Sequence, residues 1–422
     1  MNAFTRLLIG GDRRIAERNM LWNTFGSAVY ALASMLLGAA VTRVLGPDAG
    51  GIFFFAFSTF GQQMFIVAYF GMRPLQITDT AGRHSFGDYR GFRFMTCGAA
   101  AAAGFLYAAL FAKSTEAMWC IAAMVAYKVL DGFADVYDSE FQRQGRLYLT
   151  GKSNAFRTLL SVAVFLAVML STRQLIPACF GAAAAQLVSV FLFCVLPLRE
   201  FPGVVRERRK GSAAALFKES GWLFLSVFLD LYIFAASKYA VNRYMTDADN
   251  GYYTTIFIPT SVINLMANFV IRPVLTGLSA DHDAGDGAHF LKTVLKISGL
   301  IAVLTALGAG AAALFGIPAL SILVGPEAGA ALAPYTRELV IVILGGGFYA
   351  LMNLLYYVLV ILDAQKLIFA IYAVNTAAAF LLAERLVPGG GIPGAAAAYL
   401  AAMFLLTASF AAGACLKIRK AF

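Results

Sequence analysis

The chain has 422 residues, of which 60% are hydrophobic and only 13% charged, and its formal net charge is +10; the mean hydropathy is +0.74. Soluble domains carry about a quarter charged residues, so this chain lacks the polar surface to fold as water-soluble domains. Its positive charge is accounted for by loops that face anionic lipid headgroups, with no nucleic-acid partner, and the reading that remains is an all-α polytopic membrane protein.

The N-terminal segment, 1–21, carries Arg6, Arg13, Arg14 and Arg18 ahead of an apolar stretch. That stretch is too long for a signal-peptide core and has no obvious small-residue cleavage site, so it reads as a retained first span. Crossing about 30 Å of hydrocarbon as a helix takes about 20 apolar residues, and helices satisfy the backbone where lipid cannot. The first half predicts spans at 22–44, 50–72, 92–112, 116–137, 154–172 and 174–197. A basic, poorly apolar linker follows at 198–218, LREFPGVVRERRKGSAAALFK. The second half predicts spans at 219–241, 252–276, 292–314, 334–362, 367–386 and 394–416, then a short tail at 417–422.

Placing the N-terminus inside leaves only Arg43, Lys113, Arg173, Lys238, Arg243, Arg337 and Arg385 on the outer side, with Lys128 mid-span. All other lysines and arginines of the 33, Arg93 and Arg157 among them, fall on the cytoplasmic side. This asymmetry predicts that both termini are cytoplasmic.

The linker divides the chain into an N-lobe, 22–197, and a C-lobe, 219–416, and the lobes share a pattern. Arg43 precedes Gly51 by eight residues, as Arg243 precedes Gly251. Aromatics follow in both: Phe53, Phe54 and Phe55 in one, Tyr252 and Tyr253 in the other. Arg73-Pro74 and Arg272-Pro273 close the second span of each half. Six is even, so both halves enter from the same face. The expectation is about twelve helices in two six-helix bundles related by a pseudo-two-fold along the membrane normal, with cargo bound where the halves meet.

Ionisable groups inside spans cost about 2.5–3.5 kcal/mol each and are functional candidates by default. Lys128, Asp131 and Asp135 share one face of the fourth span, either as a packing pair or as a cationic hook in a wet cavity. Asp230 lies near the middle of the seventh span. Lys238, near its outer end, is placed either to snorkel to headgroups or to face the same cavity. Asn264, Asn268 and Arg272 form a polar stripe on the eighth span, with Gln62, Gln63 and Arg73 as rough counterparts on the second; such amides serve as interhelical glue or as cargo contacts.

Other signals carry no chemistry. The five cysteines read as small apolar fillers, since a disulfide framework needs paired, exposed thiols. GRLYLTGKS at 145–153 has five residues between its glycines where a phosphate-binding loop needs four, and no preceding strand. GGGIPG at 389–394 reads as a flexible outer loop. His84, His282 and His289 sit in loops without ligand spacing. No catalytic residue, metal or cofactor is expected.

TRVLGPDAGGIFFFAF at 42–57, FGMRPLQITD at 70–79, FQRQGRLYLTGKSNAFR at 141–157, ILVGPEAGAALAPY at 322–335 and GIPGAAAAYL at 391–400 together resemble the polysaccharide transporters of the multidrug/oligosaccharidyl-lipid/polysaccharide flippase superfamily. The resemblance implies a bacterial inner-membrane flippase of the O-antigen or capsule type. Its cargo would be an undecaprenyl-pyrophosphate-linked oligosaccharide, handled beside a polysaccharide polymerase and glycosyltransferases. Cations available to the diphosphate are Lys128, Arg272, Arg73, Lys238 and Arg43. The fourteen spans typical of lipid II flippases exceed the twelve expected here. One alternative is an ion-coupled multidrug antiporter of the same superfamily, with Asp131, Asp135 or Asp230 as the ion site. Another is a membrane polymerase or ligase of lipid-linked glycans. That class needs a large outer loop with catalytic residues, and the longest outer segment, near 315–333, offers one acid, Glu327.

Overall fold

The computed structural model describes residues 3–11, 14–79 and 81–421; Arg13 and the side chain of Arg272 lie outside the described set. All regular structure among the described residues is helical. Among the described residues, eleven continuous helical segments are long and apolar enough to cross a membrane. The last of them, Gln365–Ala421, runs 57 residues, about 85 Å at the helical rise, nearly three times the hydrocarbon thickness. Gly391, at φ 58° and ψ −143°, takes a backbone shape reserved for glycine. A Cβ on Gly394 would stand 2.0 Å from the Leu386 carbonyl oxygen, so the chain folds back on itself there. Two helices result, which brings the candidate spans among the described residues to twelve. The reversal expected as a flexible GGGIPG loop is compressed into one residue.

The six spans of the first half are Ile15–Leu45, Pro47–Thr78, Phe86–Phe111, Thr115–Arg143, Leu147–Thr172 and Leu175–Arg199. Local chemistry sets their ends. Ser85 and Asp88 form a reciprocal capping box at the start of the third span, and the Ser114 hydroxyl caps the fourth. The second span is interrupted by a wide π-helical turn at Phe55–Phe60 and by left-handed residues at Phe70 and Gly71. Between the second and third spans, the Asp79 carboxylate accepts the backbone N–H groups of Arg83 and His84, both at 2.9 Å, and the Tyr89 hydroxyl at 3.0 Å. A short helix absent from the sequence reading, Ala3–Ile9, precedes the first span. Its last carbonyls are capped by Lys152 Nζ, on Leu8 at 2.7 Å, and by the Tyr148 hydroxyl, on Ile9 at 2.9 Å.

Contacts divide the chain into two compact units, Met1–Leu45 with Ile52–Phe228, and Gly46–Gly51 with Leu229–Phe422. The second unit holds the latter part of Ser212–Tyr244, from Leu229 on, then Asp247–Ile271, Gly287–Val324, Pro326–Ile361 and the final pair of spans. Within it, two segments of the internal repeat lie side by side. Asp48 Oδ1 accepts the Ala248 N–H at 3.1 Å, across a separation of 200 residues, and Asn250 Nδ2 donates to the Gly51 carbonyl at 3.0 Å. A Cβ on Gly51 would meet the Asp247 carbonyl oxygen at 1.7 Å, and one on Gly251 the Pro47 carbonyl oxygen at 2.7 Å. Equivalent residues thus touch reciprocally, as a duplicated segment does around a local two-fold.

His282 and His289 belong to helices, not loops, and His289 Nδ1 lies 2.7 Å from Asp281 Oδ2. Four cysteines are buried and Cys415 is exposed.

Candidate functional site

The fourth span concentrates the interior charge of the first unit. Lys128, Asp131 and Asp135 line one face as their spacing predicts, and Asp138 continues that face by three residues. All four are buried. A buried carboxylate is tolerated only with a charged, hydrogen-bonding partner, and arginine supplies it. Arg157 reaches Asp131 at 3.2 Å and Asp138 at 2.9 Å. Asp135 is clamped by Arg73 at 2.7 Å and Arg93 at 2.9 Å. Arg73 donates further to Gln142 Oε1 at 3.0 Å, and Gln186 Nε2 to Asp131 at 3.3 Å.

The internal Lys–Asp pairing that the spacing allows is not the arrangement found. Lys128, 1% exposed, donates to Gln62 Oε1 at 3.0 Å and to the Tyr30 hydroxyl at 3.4 Å. Its ammonium stands 4.1 Å above the Phe57 ring. These partners are neutral. The set Arg73, Arg93, Arg157 and Lys128 therefore places four cations against the three carboxylates Asp131, Asp135 and Asp138, and the surplus charge falls on Lys128.

Arg93 and Arg157, assigned from sequence to the cytoplasmic edge, are buried inside their helices instead. The third and fifth spans begin at Phe86 and Leu147, earlier than hydropathy places them, so Arg93 sits about two turns in and Arg157 nearly three. Gln63 donates to the Phe228 carbonyl at 3.0 Å, a helix-packing contact. Arg43 is exposed at the end of the first span.

The second unit is sparser. Asp230 Oδ2 accepts the Tyr349 hydroxyl at 2.9 Å, and Tyr372 is a second phenol facing this carboxylate. Lys238 does not snorkel: it is 7% exposed, with its ammonium 4.1 Å from the Phe257 ring and 5.5 Å from Phe234. Phe57 and Phe257, equivalent positions of the repeat, each carry a lysine at the same distance, although the lysines come from different spans. Asn264 and Asn268 donate to the carbonyls of Thr260 and Asn264, at 3.1 and 2.9 Å, so the predicted stripe is bonded to its own helix. The side chain of Arg272, the stripe's third member, lies outside the described residues.

Each unit thus holds a buried lysine on an aromatic seat. The fold is shared with solved membrane transporters and flippases at low sequence identity, and three of them illustrate the likeness. The chain is similar to a multidrug resistance MATE family transporter of the MOP superfamily in an inward-facing conformation, with TM-score 0.68 and 11% identity over 96% of this chain and 98% of the other. It is similar to the lipid II flippase MurJ, inward closed, with TM-score 0.73 and 11% identity over 96% and 89%. It is also similar to the Vibrio cholerae MATE transporter VcmN in its bent form, with TM-score 0.60 and 15% identity over 100% and 99%. No protein-family model matches the chain, and no curated protein matches it.

Proposed function

We propose that this protein is a flippase. It moves an undecaprenyl-pyrophosphate-linked oligosaccharide across the bacterial inner membrane for surface polysaccharide synthesis, by alternating access between two lobes with both termini in the cytoplasm. The observation that carries the reading is Lys128: a buried, intramembrane ammonium whose hydrogen-bond partners are an amide and a phenol. Burying a cation without a carboxylate is costly, and a diphosphate entering beside it would supply the missing charge. Lys238 on Phe257 repeats the arrangement in the second unit. Arg73, paired with Asp135 yet 28% exposed at its side chain, and Arg43, exposed at the first span's end, are the further candidate cations. A polymerase and glycosyltransferases would act on the same cargo before and after transport.

The test is a host lacking its own surface-polysaccharide flippase. The wild-type chain is expected to restore surface polysaccharide, Lys128→Arg to restore it in part, and Lys128→Met to leave lipid-linked intermediates on the cytoplasmic side despite normal membrane levels. Full activity of Lys128→Met would remove the diphosphate role of this residue.

A second reading, an ion-coupled multidrug antiporter, has one observation in its favour. Asp230 is faced by two phenols, Tyr349 at 2.9 Å and Tyr372, and by no cation, whereas Asp131 and Asp135 are already paired with guanidinium groups. If that reading holds, Asp230→Asn abolishes gradient-driven efflux of a cationic dye from proteoliposomes. If the wild type moves no dye under a sodium or proton gradient, the reading is lost.

A further inference from the structure

The segment after the sixth span is not a slack tether. The Gly87 N–H donates to the Val205 carbonyl at 3.2 Å, the Ser85 hydroxyl to the Glu207 carbonyl at 2.5 Å, and the Arg209 N–H to Asp88 Oδ1 at 2.6 Å. Gly87 and Gly91, one helical turn apart on the third span, form the floor of this seat. A Cβ on Gly87 would stand 2.2 Å from the Arg206 carbonyl oxygen, and one on Gly91 would stand 2.8 Å from Arg208 Cδ. The capping box that starts the third span therefore also fixes the strap.

The three arginines of the strap then differ. Arg206 spends its guanidinium on the Leu198 carbonyl at 2.9 Å, and Arg209 on the Arg83 carbonyl at 2.8 Å. Arg208 is laid along the outside of the third span, and its Nη2 meets Met95 Sδ at 3.8 Å. A thioether is a weak acceptor for a group with five donors. Met95 and its neighbour Phe94, 55% and 60% exposed, belong to the surface this membrane span turns to lipid. The guanidinium is thus held where hydrocarbon gives way to headgroups, its stem on apolar surface and most of its donors unspent.

We propose that Arg208, seated by Gly91 and Met95, is a binding site for the phosphodiester of an anionic phospholipid. Phosphate oxygens match the guanidinium fork in a bidentate arrangement that no group of the strap supplies. The site lies on the side that the lysine and arginine distribution assigns to the cytoplasm, and it does not depend on what cargo the protein moves.

Native mass spectrometry of the purified full-length protein, titrated with phosphatidylglycerol or phosphatidylcholine, tests it. The wild type is expected to bind phosphatidylglycerol in preference, and Arg208→Gln to weaken that binding about fivefold, the effect of one basic residue at an anionic surface. Arg419→Gln, which removes an exposed charge elsewhere, is expected to leave it unchanged. Gly91→Leu keeps every charge but fills the seat, and is expected to weaken binding as Arg208→Gln does. Equal losses for Arg208→Gln and Arg419→Gln would mean diffuse attraction and overturn the site. So would unchanged binding in Arg208→Gln, or in Gly91→Leu.

Discussion

The two units treat buried charge in opposite ways. In the first, three aspartates on one helix face are met by three arginines drawn from the second, third and fifth spans, at 2.7–3.2 Å. In the second, Asp230 leans on a tyrosine and Lys238 on two phenylalanines. A dense network with matched signs ties helices together and is expensive to alter. A buried charge outside such a network makes fewer ties between helices and should cost less to alter. Charge in the first unit is thus mostly architecture, with Lys128 as its unbalanced member, and charge in the second is less so.

The largest expected effect breaks the network side of this comparison. Arg157→Met leaves Asp138 buried without its guanidinium and Asp131 with only the Gln186 amide, and removing one partner of a buried ion pair costs about 3–5 kcal/mol. Thermal unfolding of the purified protein in detergent should show this as a large fall in melting temperature, recovered in part by adding Asp138→Asn. Asp230→Asn, by contrast, should melt close to the wild type. Similar melting of Arg157→Met and Asp230→Asn would erase the distinction between the units.

A middle-sized effect concerns the reciprocal contact of the repeat segments in the second unit. Gly51→Val drives a side chain into the Asp247 carbonyl, and overpacking of this kind costs about 1–3 kcal/mol. Gly251→Val, facing the Pro47 carbonyl at the equivalent place, should lower the melting temperature in the same direction. If Gly251→Val melted as the wild type while Gly51→Val did not, the two copies of the segment would not be equivalent.

Much of the fold was legible because lipid demands long apolar helices, and twenty-residue runs are hard to hide. The same signal concealed the network. A hydropathy window trims charged residues from its ends, so it places the third, fourth and fifth spans at 92–112, 116–137 and 154–172. The helices are Phe86–Phe111, Thr115–Arg143 and Leu147–Thr172. Arg93, Asp138 and Arg157 fall at or beyond the margins of those windows for that one reason. Asp138 was recoverable, since 128, 131, 135 and 138 share one helical face. Tyr349, 119 residues from Asp230, had no local signal. Neither did the aromatic cover that keeps Lys238 from the headgroups.

The smallest effect lies outside the membrane, at Asp79. Burial alone would raise its carboxyl. The backbone N–H groups of His84 and Arg83, the Tyr89 hydroxyl and the Arg143 guanidinium outweigh burial and hold it below the usual carboxylate range. A carboxyl depressed in the native state binds its proton less readily there than in the unfolded chain. It therefore stabilises the fold at pH values above the ordinary carboxylate pKa of about 4, and that contribution fades as pH falls through the depressed native value. The wild type should melt above Asp79→Asn at pH 7, and the gap should narrow below about pH 4. Arg143 also reaches Glu140 at 3.2 Å, so it keeps a partner in the variant and the difference reports the Asp79 loop alone. A gap that stayed constant from pH 7 to pH 3 would show that the loop is held by its shape and not by the carboxylate's charge.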